Sequence, residues 1–123
     1  MLRVAILVVA AVFFAGMGVY GLVAPARLVA PFLLRAETSE GRSEVRAVYG
    51  GFGIAVAGML GWASVAGPGG VSTGVVVTVG VALGGMAFGR IVSRIVDPAT
   101  PFYPVGLYLL VEAVGAAGLL AVA

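Results

Sequence analysis

Charged side chains lie inside or beside three long apolar stretches of this 123-residue sequence. Glu44, Arg46 and Tyr49 open the second apolar stretch, Arg90 lies late in the third, and Glu112 lies within the fourth. An unpaired charge in lipid costs roughly 3 kcal/mol on insertion scales, and such residues usually face the interior of a helix bundle and pair with each other. We therefore predict one polar cluster, built from all three stretches.

The chemistry of this cluster centres on Arg90 and Glu112, which we expect to form an ion pair. A buried pair needs extra hydrogen bonds to offset desolvation, and Tyr49 or Tyr108 could supply them. Such a pair could simply fix how two helices pack. An arginine can also grip a phosphate with two hydrogen bonds, so the cluster could instead bind an anionic lipid headgroup or a quinone-like ring. The full set of predicted ion-pair or binding residues is Glu44, Arg46, Tyr49, Arg90, Tyr108 and Glu112.

A lone intramembrane carboxyl group supports a second function. It can alternate between a proton and a cationic substrate, so the alternative is a proton-coupled small-molecule transporter that uses Glu112. Arg90 would repel a cation close to this carboxylate, which ranks transport below binding. Glu44 also has a simpler interpretation, because a carboxylate is favoured in the first turn of a helix.

The sequence lacks the residues that several other functions require. The sequence holds no Cys and no His, which excludes Cys/His metal sites, disulfides and His-ligated haem. No nucleophile–base set and no spacing signature identify catalytic residues. We predict no catalytic residue and no metal site. The sequence implies no cofactor and leaves its identity unknown, and an enzyme stays open only with a bound redox cofactor or partner.

The elements that must position the cluster follow from composition. Hydrophobic residues make up 62% of the chain and charged residues 10%, against about 45–50% and about 25% in soluble domains. Four apolar stretches are long enough to span a bilayer as helices. The fold class predicted is therefore an all-α membrane protein, a single four-transmembrane-helix domain over residues 1–123. Its helices are expected at about 4–24, 43–65, 72–96 and 105–123.

The connection over residues 25–42 is apolar in part but too short to span. An amphipathic segment lying at the membrane surface and an irregular loop that caps the bundle are both open interpretations. Small residues at four-residue spacing predict close helix packing, either within the bundle or between copies in a homo-oligomer. The predicted close-packing glycines are Gly50, Gly51, Gly53, Gly85 and Gly89.

Charge asymmetry predicts the orientation. The first and third connections and their flanking helix ends carry six arginines, whereas the opposite side has only Arg3. The positive-inside rule places both basic connections in the cytoplasm and both termini on the extracytoplasmic side. The net charge of +2 is too small to favour nucleic acid as a partner. The lipid bilayer is the expected surrounding.

The motif Glu44-x-Arg46-x-x-Tyr49-Gly50-Gly51, followed by Gly89-Arg90 and then Glu112, resembles a family of small four-helix bacterial membrane proteins known only as a domain of unknown function. The Gly21-Leu22-x-x-Pro25 end of the first helix fits the same pattern. The resemblance implies a four-helix bundle in the bacterial inner membrane and no established activity.

A looser likeness is to DoxX-like proteins, some of which are linked to quinone-coupled sulfur oxidation; that link extends to this chain by analogy alone. We expect a small integral membrane protein that binds a lipid, a quinone or a partner membrane protein, the last as an accessory subunit of a membrane complex.

Overall fold

The computed structural model describes residues 1–123 and is entirely helical, which confirms the all-α prediction. Four of its helices are long and apolar enough to cross a membrane, the shortest having 21 residues, or roughly 30 Å of helical rise. A fifth helix is short and lies in the first connection. The helices are α1 (Leu2–Val23), α2 (Pro25–Val29), α3 (Ser39–Ala66), α4 (Gly70–Val96) and α5 (Phe102–Val122).

Helix α3 begins at Ser39, earlier than the expected residue 43, because Thr38 caps it. The backbone N–H of Gly41 donates to Thr38 Oγ1 at 3.0 Å, which satisfies one of the unpaired amides of the first turn. Glu40 lies in that turn, where a carboxylate is favourable. The polar residues that resemble a loop in the sequence therefore start the helix.

The bundle consists of two closely packed helix pairs, α1 with α3 and α4 with α5. Glycines bring the backbones of α1 and α3 into contact. A Cβ added at Gly18 would lie 2.7 Å from the backbone nitrogen of Ile54, and one added at Gly53 would lie 2.9 Å from the Cα of Gly18. A Cβ at Gly21 would lie 2.9 Å from the backbone nitrogen of Gly50. Gly50 and Gly53 thus lie where the backbones of α1 and α3 are in contact.

Three other glycines for which close packing is predicted have open surroundings. A Cβ at Gly85 or Gly89 would meet no atom within 4 Å, and one at Gly51 would meet only the Arg46 carbonyl oxygen of its own helix, at 3.8 Å. Helix α4 buries a different face, the one with Leu83. These glycines consequently make no close contact between helices of this chain.

The apolar core joins all four long helices. Leu7, Leu60, Val76 and Leu119 are fully buried, one from each helix, within a single cluster. Arg3, near the start of α1, donates hydrogen bonds to the last turn of α3 and the first turn of α4. The start of α1 therefore lies at the end of the bundle that holds the α3–α4 turn, which we call the terminal end. The opposite end, with the first and third connections, is the basic end.

The first connection is partly helical and partly irregular. After α2 comes a 3₁₀ turn, Ala30–Phe32, and then an irregular segment up to Thr38. Val29 and Ala36 are each 4% exposed and pack with Val45 of α3 in a small second core. The connection is thus partly helical, and it caps the basic end of the bundle.

Candidate functional site

An ion pair between α4 and α5 lies at the basic end. Arg90 Nε donates to Glu112 Oε2 at 2.7 Å, and Arg90 Nη2 donates to Glu112 Oε1 at 2.8 Å. The Arg90 side chain is 23% exposed and that of Glu112 is 4% exposed. Two parallel charge-assisted hydrogen bonds are the strongest geometry available to arginine and a carboxylate. The structure thus brings together the two residues predicted to form the centre of the cluster.

Small residues between α4 and α5 set the register of the two helices and bring Arg90 within reach of Glu112. An added Cβ at Gly84 would lie 3.9 Å from Ala116 Cβ, and one at Gly80 would lie 2.9 Å from the side chain of Leu120. In this antiparallel register Glu112 is level with residue 88, slightly before Arg90. Helical side chains lean toward the N-terminus of their own helix, so Arg90 reaches back to the level of Glu112.

Two aromatic rings lie close to the guanidinium of Arg90. Arg90 Cζ lies 5.4 Å from the ring centroid of Phe32 and 5.7 Å from that of Tyr108. The two ring centroids are 5.3 Å apart, so the three groups form a compact triangle. A cation at this distance from an aromatic ring is attracted to its face. Tyr108 lies one turn before Glu112 on α5, and Phe32 comes from the first connection.

Phe32 is missing from the residues predicted from sequence. The sequence signal for Phe32 is weak. Phe32 is the one aromatic residue within residues 25–42, a connection next to a basic helix end. Its contact with Arg90 depends on the path of an irregular segment. No periodic pattern predicts such a path.

One nitrogen of Arg90 is left without a protein partner. Nε and Nη2 are engaged by Glu112, whereas Nη1 makes no hydrogen bond within the chain and is not enclosed. A guanidinium carries five N–H donors in a fixed plane. The N–H groups on Arg90 Nη1 therefore remain free to donate, at a partly exposed position.

The other predicted cluster residues lie apart from the ion pair or at its edge. Arg46 Nε donates to the carbonyl oxygen of Leu22 at 3.0 Å, in the last turn of α1. Glu44 is exposed and forms no ion pair. Tyr49 is half-buried and packs against the small core formed by Val29, Ala36 and Val45. Arg46 completes a helix end here and does not join Arg90.

A second polar site, at the terminal end, was not predicted from sequence. Arg3 Nη1 donates to the Ala63 carbonyl oxygen at 3.0 Å and Arg3 Nη2 donates to Ser72 Oγ at 2.9 Å. Ser72 is 3% exposed and its hydroxyl donates to the same carbonyl at 3.3 Å. A cation is favourable at the carbonyl end of a helix. Arg3 therefore fastens α1 to α3 and α4. The available signal in the sequence was a serine early in the third apolar stretch.

The two main surface grooves are apolar. Two shallow grooves of about 500 and 660 Å³ are lined without any charged residue, the first between α3 and α4 and the second on α1. No group of three or more His, Cys, Asp or Glu side chains comes together. The candidate site is accordingly the Arg90–Glu112 pair with its two aromatic neighbours.

The comparison with protein families gives one match. The family model described as "Domain of unknown function (DUF4345)" matches residues 1–123, which is the whole chain. No curated protein and no solved structure matches the chain. Only the geometry and the charge of the site therefore bear on what it does.

Proposed function

The chain belongs to the DUF4345 family, a domain of unknown function, and we propose that it is a membrane bundle that binds the anionic headgroup of a phospholipid at Arg90. Its four long apolar helices suggest a multi-pass membrane protein. The observation that carries the proposal is the free Nη1 edge of a guanidinium that Glu112 holds in place.

The ion pair orders Arg90 before a ligand arrives. Glu112 engages Nε and Nη2, so the guanidinium plane is fixed and Nη1 is presented in one direction. A donor that is already ordered loses less conformational entropy on binding than a free arginine side chain. A phosphate oxygen is the natural acceptor for such an edge.

Unpaired positive charge surrounds the site. Arg94 lies one turn beyond Arg90 on α4 and is exposed. Neither Arg94 nor Arg46 has a carboxylate within 4.0 Å. By the charge bias this basic end faces the cytoplasm, where anionic lipids concentrate. Charge and hydrogen-bond geometry thus favour the same ligand chemistry.

The same geometry favours binding over transport. Both oxygens of Glu112 are engaged by Arg90, and the carboxylate is 4% exposed. A cationic substrate would have to displace a guanidinium held by two short hydrogen bonds. A quinone ring would likewise have to displace Arg90 from Phe32 and Tyr108, whose rings already pack against it.

Native mass spectrometry of the whole protein in mild detergent tests the proposal, with phosphatidylglycerol and phosphatidylcholine titrated in parallel. We expect preferential binding of phosphatidylglycerol. Arg90→Lys and Arg94→Gln should each weaken it about tenfold, the effect of losing one charge-assisted hydrogen bond. The matched control is Arg27→Gln, which removes the same charge at the same end from an exposed residue with no hydrogen bond or salt bridge to the ion pair. It should weaken binding less than about twofold.

Equal binding of the two lipids would contradict the proposal, as would an equal loss in the Arg27→Gln control. Lipids and proteins that co-purify give a second readout. A quinone that is retained by the native chain and lost from Arg90→Lys would replace the phospholipid as the ligand. A protein subunit with that behaviour would instead indicate an accessory role in a membrane complex.

A further inference from the structure

The connection between α1 and α3 lies against the guanidinium of Arg90. We call residues 30–36 the lid. Its two ends are fixed by burial, since Val29 just before it and Ala36 at its end are each 4% exposed. Between these points Phe32 lies against the Arg90 guanidinium and the Tyr108 ring. The lid therefore rests on the site through one aromatic side chain.

The residue after Phe32 has an unusual backbone. Leu33 has φ 60° and ψ 22°, in the left-handed region. This region is costly for a residue with a Cβ and free of that cost for glycine. Leu33 is 91% exposed and Leu34 is 56% exposed. Contacts within this chain thus give almost nothing to offset the strained turn.

The lid lies level with the apolar helices. Phe32 touches Arg90, which precedes the end of α4 by six residues, or about 9 Å along the helix. Leu33 and Leu34 follow Phe32 directly, so they lie near that depth. Arg27 and Arg35, on either side, are exposed, as arginines are when they reach toward headgroups. Apolar tips between basic flanks are typical of segments that lie in a membrane surface.

We propose that the bilayer itself holds the lid closed: Leu33 and Leu34 insert among the acyl chains at the basic end, and their insertion keeps Phe32 over Arg90. Burial of two leucines in lipid offsets the left-handed turn that presents them. The partner of this surface is the lipid leaflet. A second consequence, that the lid controls access to Arg90 Nη1, rests on the proposed lipid-binding function; insertion of the lid does not.

Fluorescence quenching tests insertion. Trp62 is the one tryptophan, so Leu33→Trp in a Trp62→Phe background reports on the lid alone, in vesicles of phosphatidylcholine and phosphatidylglycerol. We expect brominated acyl chains to quench it several-fold more than the control Glu40→Trp, an exposed position at the same end. Aqueous acrylamide should show the reverse order. Equal quenching at positions 33 and 40 would overturn the proposal. If Leu33→Trp does not fold, bimane-labelled Leu34→Cys repeats the comparison.

A glycine at position 33 separates backbone preference from insertion. Leu33→Gly relieves the left-handed turn but removes the side chain. If the leaflet holds the lid, hydrogen exchange of residues 30–36 in nanodiscs should become at least tenfold faster despite the easier backbone. Unchanged or slower exchange would overturn the proposal. The control is Ile95→Ser, which removes an exposed apolar side chain at the end of α4 and should leave exchange in the lid unchanged.

The access role has its own readout, which separates its failure from that of lipid binding. Phe32→Ala should speed both association and dissociation of phosphatidylglycerol several-fold, because the ring no longer covers the guanidinium. If phosphatidylglycerol binds but its rates do not change, the lid does not control access. If phosphatidylglycerol does not bind at all, the proposed function fails, while the quenching result still decides whether the lid is inserted.

Discussion

At the scale of single residues, three arginines each bind an acceptor in another helix. Arg90 pairs with a carboxylate, whereas Arg46 and Arg3 donate to carbonyl oxygens in the last turns of α1 and α3. Those carbonyls lack partners within their own helices and carry partial negative charge. Among the three, the charge of Arg90 alone is balanced by an ion pair, so Arg90 and Glu112 depend on each other.

Removal of one partner tests that dependence. Arg90→Ala or Glu112→Ala should each lower the free energy of unfolding by about 3 kcal/mol, because each leaves a largely buried charge unpaired. The double variant should cost at least about 1 kcal/mol less than the sum of the two. Unfolding in bicelles, followed by steric trapping, measures all three variants.

The matched control is the surface pair Arg35–Glu37, whose side chains are 81% and 71% exposed. The same cycle there should give a coupling below about 0.5 kcal/mol. Strictly additive effects at Arg90 and Glu112 would show that the two side chains do not stabilise each other.

At the scale of elements, a wide turn in α3 packs against the last turn of α1. Residues Arg46–Gly51 form a π-helical turn, a feature that adds a residue to the turn and is often found at functional sites. Within it, Arg46 Nε binds the Leu22 carbonyl oxygen, and a Cβ added at Gly50 would lie 2.8 Å from the Leu22 side chain. The wide turn therefore presents both residues to the same point on α1.

The contact between α1 and α3 predicts a contrast between two neighbouring glycines. Gly18→Ala should lower the free energy of unfolding by about 2 kcal/mol, because its Cβ would meet backbone atoms of α3 that cannot rotate away. Gly16→Ala, on the same helix, has no atom within 4 Å of the new Cβ. It should be neutral or stabilise by up to about 1 kcal/mol, because alanine favours the helix.

Thermal unfolding in detergent compares the two alanine variants directly. Circular dichroism of each folded variant controls for loss of the helix itself. Equal effects of the two substitutions would mean that α1 and α3 do not approach as closely as described.

At the scale of the whole molecule, the bundle has two unlike ends. The basic end carries the ion pair, the lid and several exposed arginines, whereas the terminal end has Arg3, which is engaged by Ala63 and Ser72. The positive-inside rule counts arginines in the connections and at the helix ends. The site and the orientation signal therefore lie at the same end.

Cysteine labelling tests the orientation, and the chain has no cysteine of its own to interfere. Glu40→Cys marks the basic end, and Pro68→Cys marks the turn between α3 and α4; both positions are exposed. In intact cells a membrane-impermeant maleimide should label Pro68→Cys, and it should label Glu40→Cys only after permeabilisation. The opposite pattern would place the site in the outer leaflet.

The number of long apolar helices is a local property, and the sequence alone determines it here. Apolar length decides that a segment is a helix able to cross a membrane, whatever its neighbours do. The Arg90–Glu112 contact could also be predicted, because charges in apolar helices are few and desolvation favours their pairing. The same argument failed to place Arg46, because an unpaired helix-end carbonyl competes with a carboxylate for an arginine.

Rotation and register are collective properties, and only the tertiary structure decided them. Gly53 and Gly85 look alike in the sequence, yet one lies in the contact between α1 and α3 and the other faces outward. The difference arises because α4 packs through the face that carries Leu83 and Ala87. The position of Phe32 over Arg90 likewise depends on a turn that follows no period. The sequence determines which polar groups must find partners; packing decides which partners lie within reach.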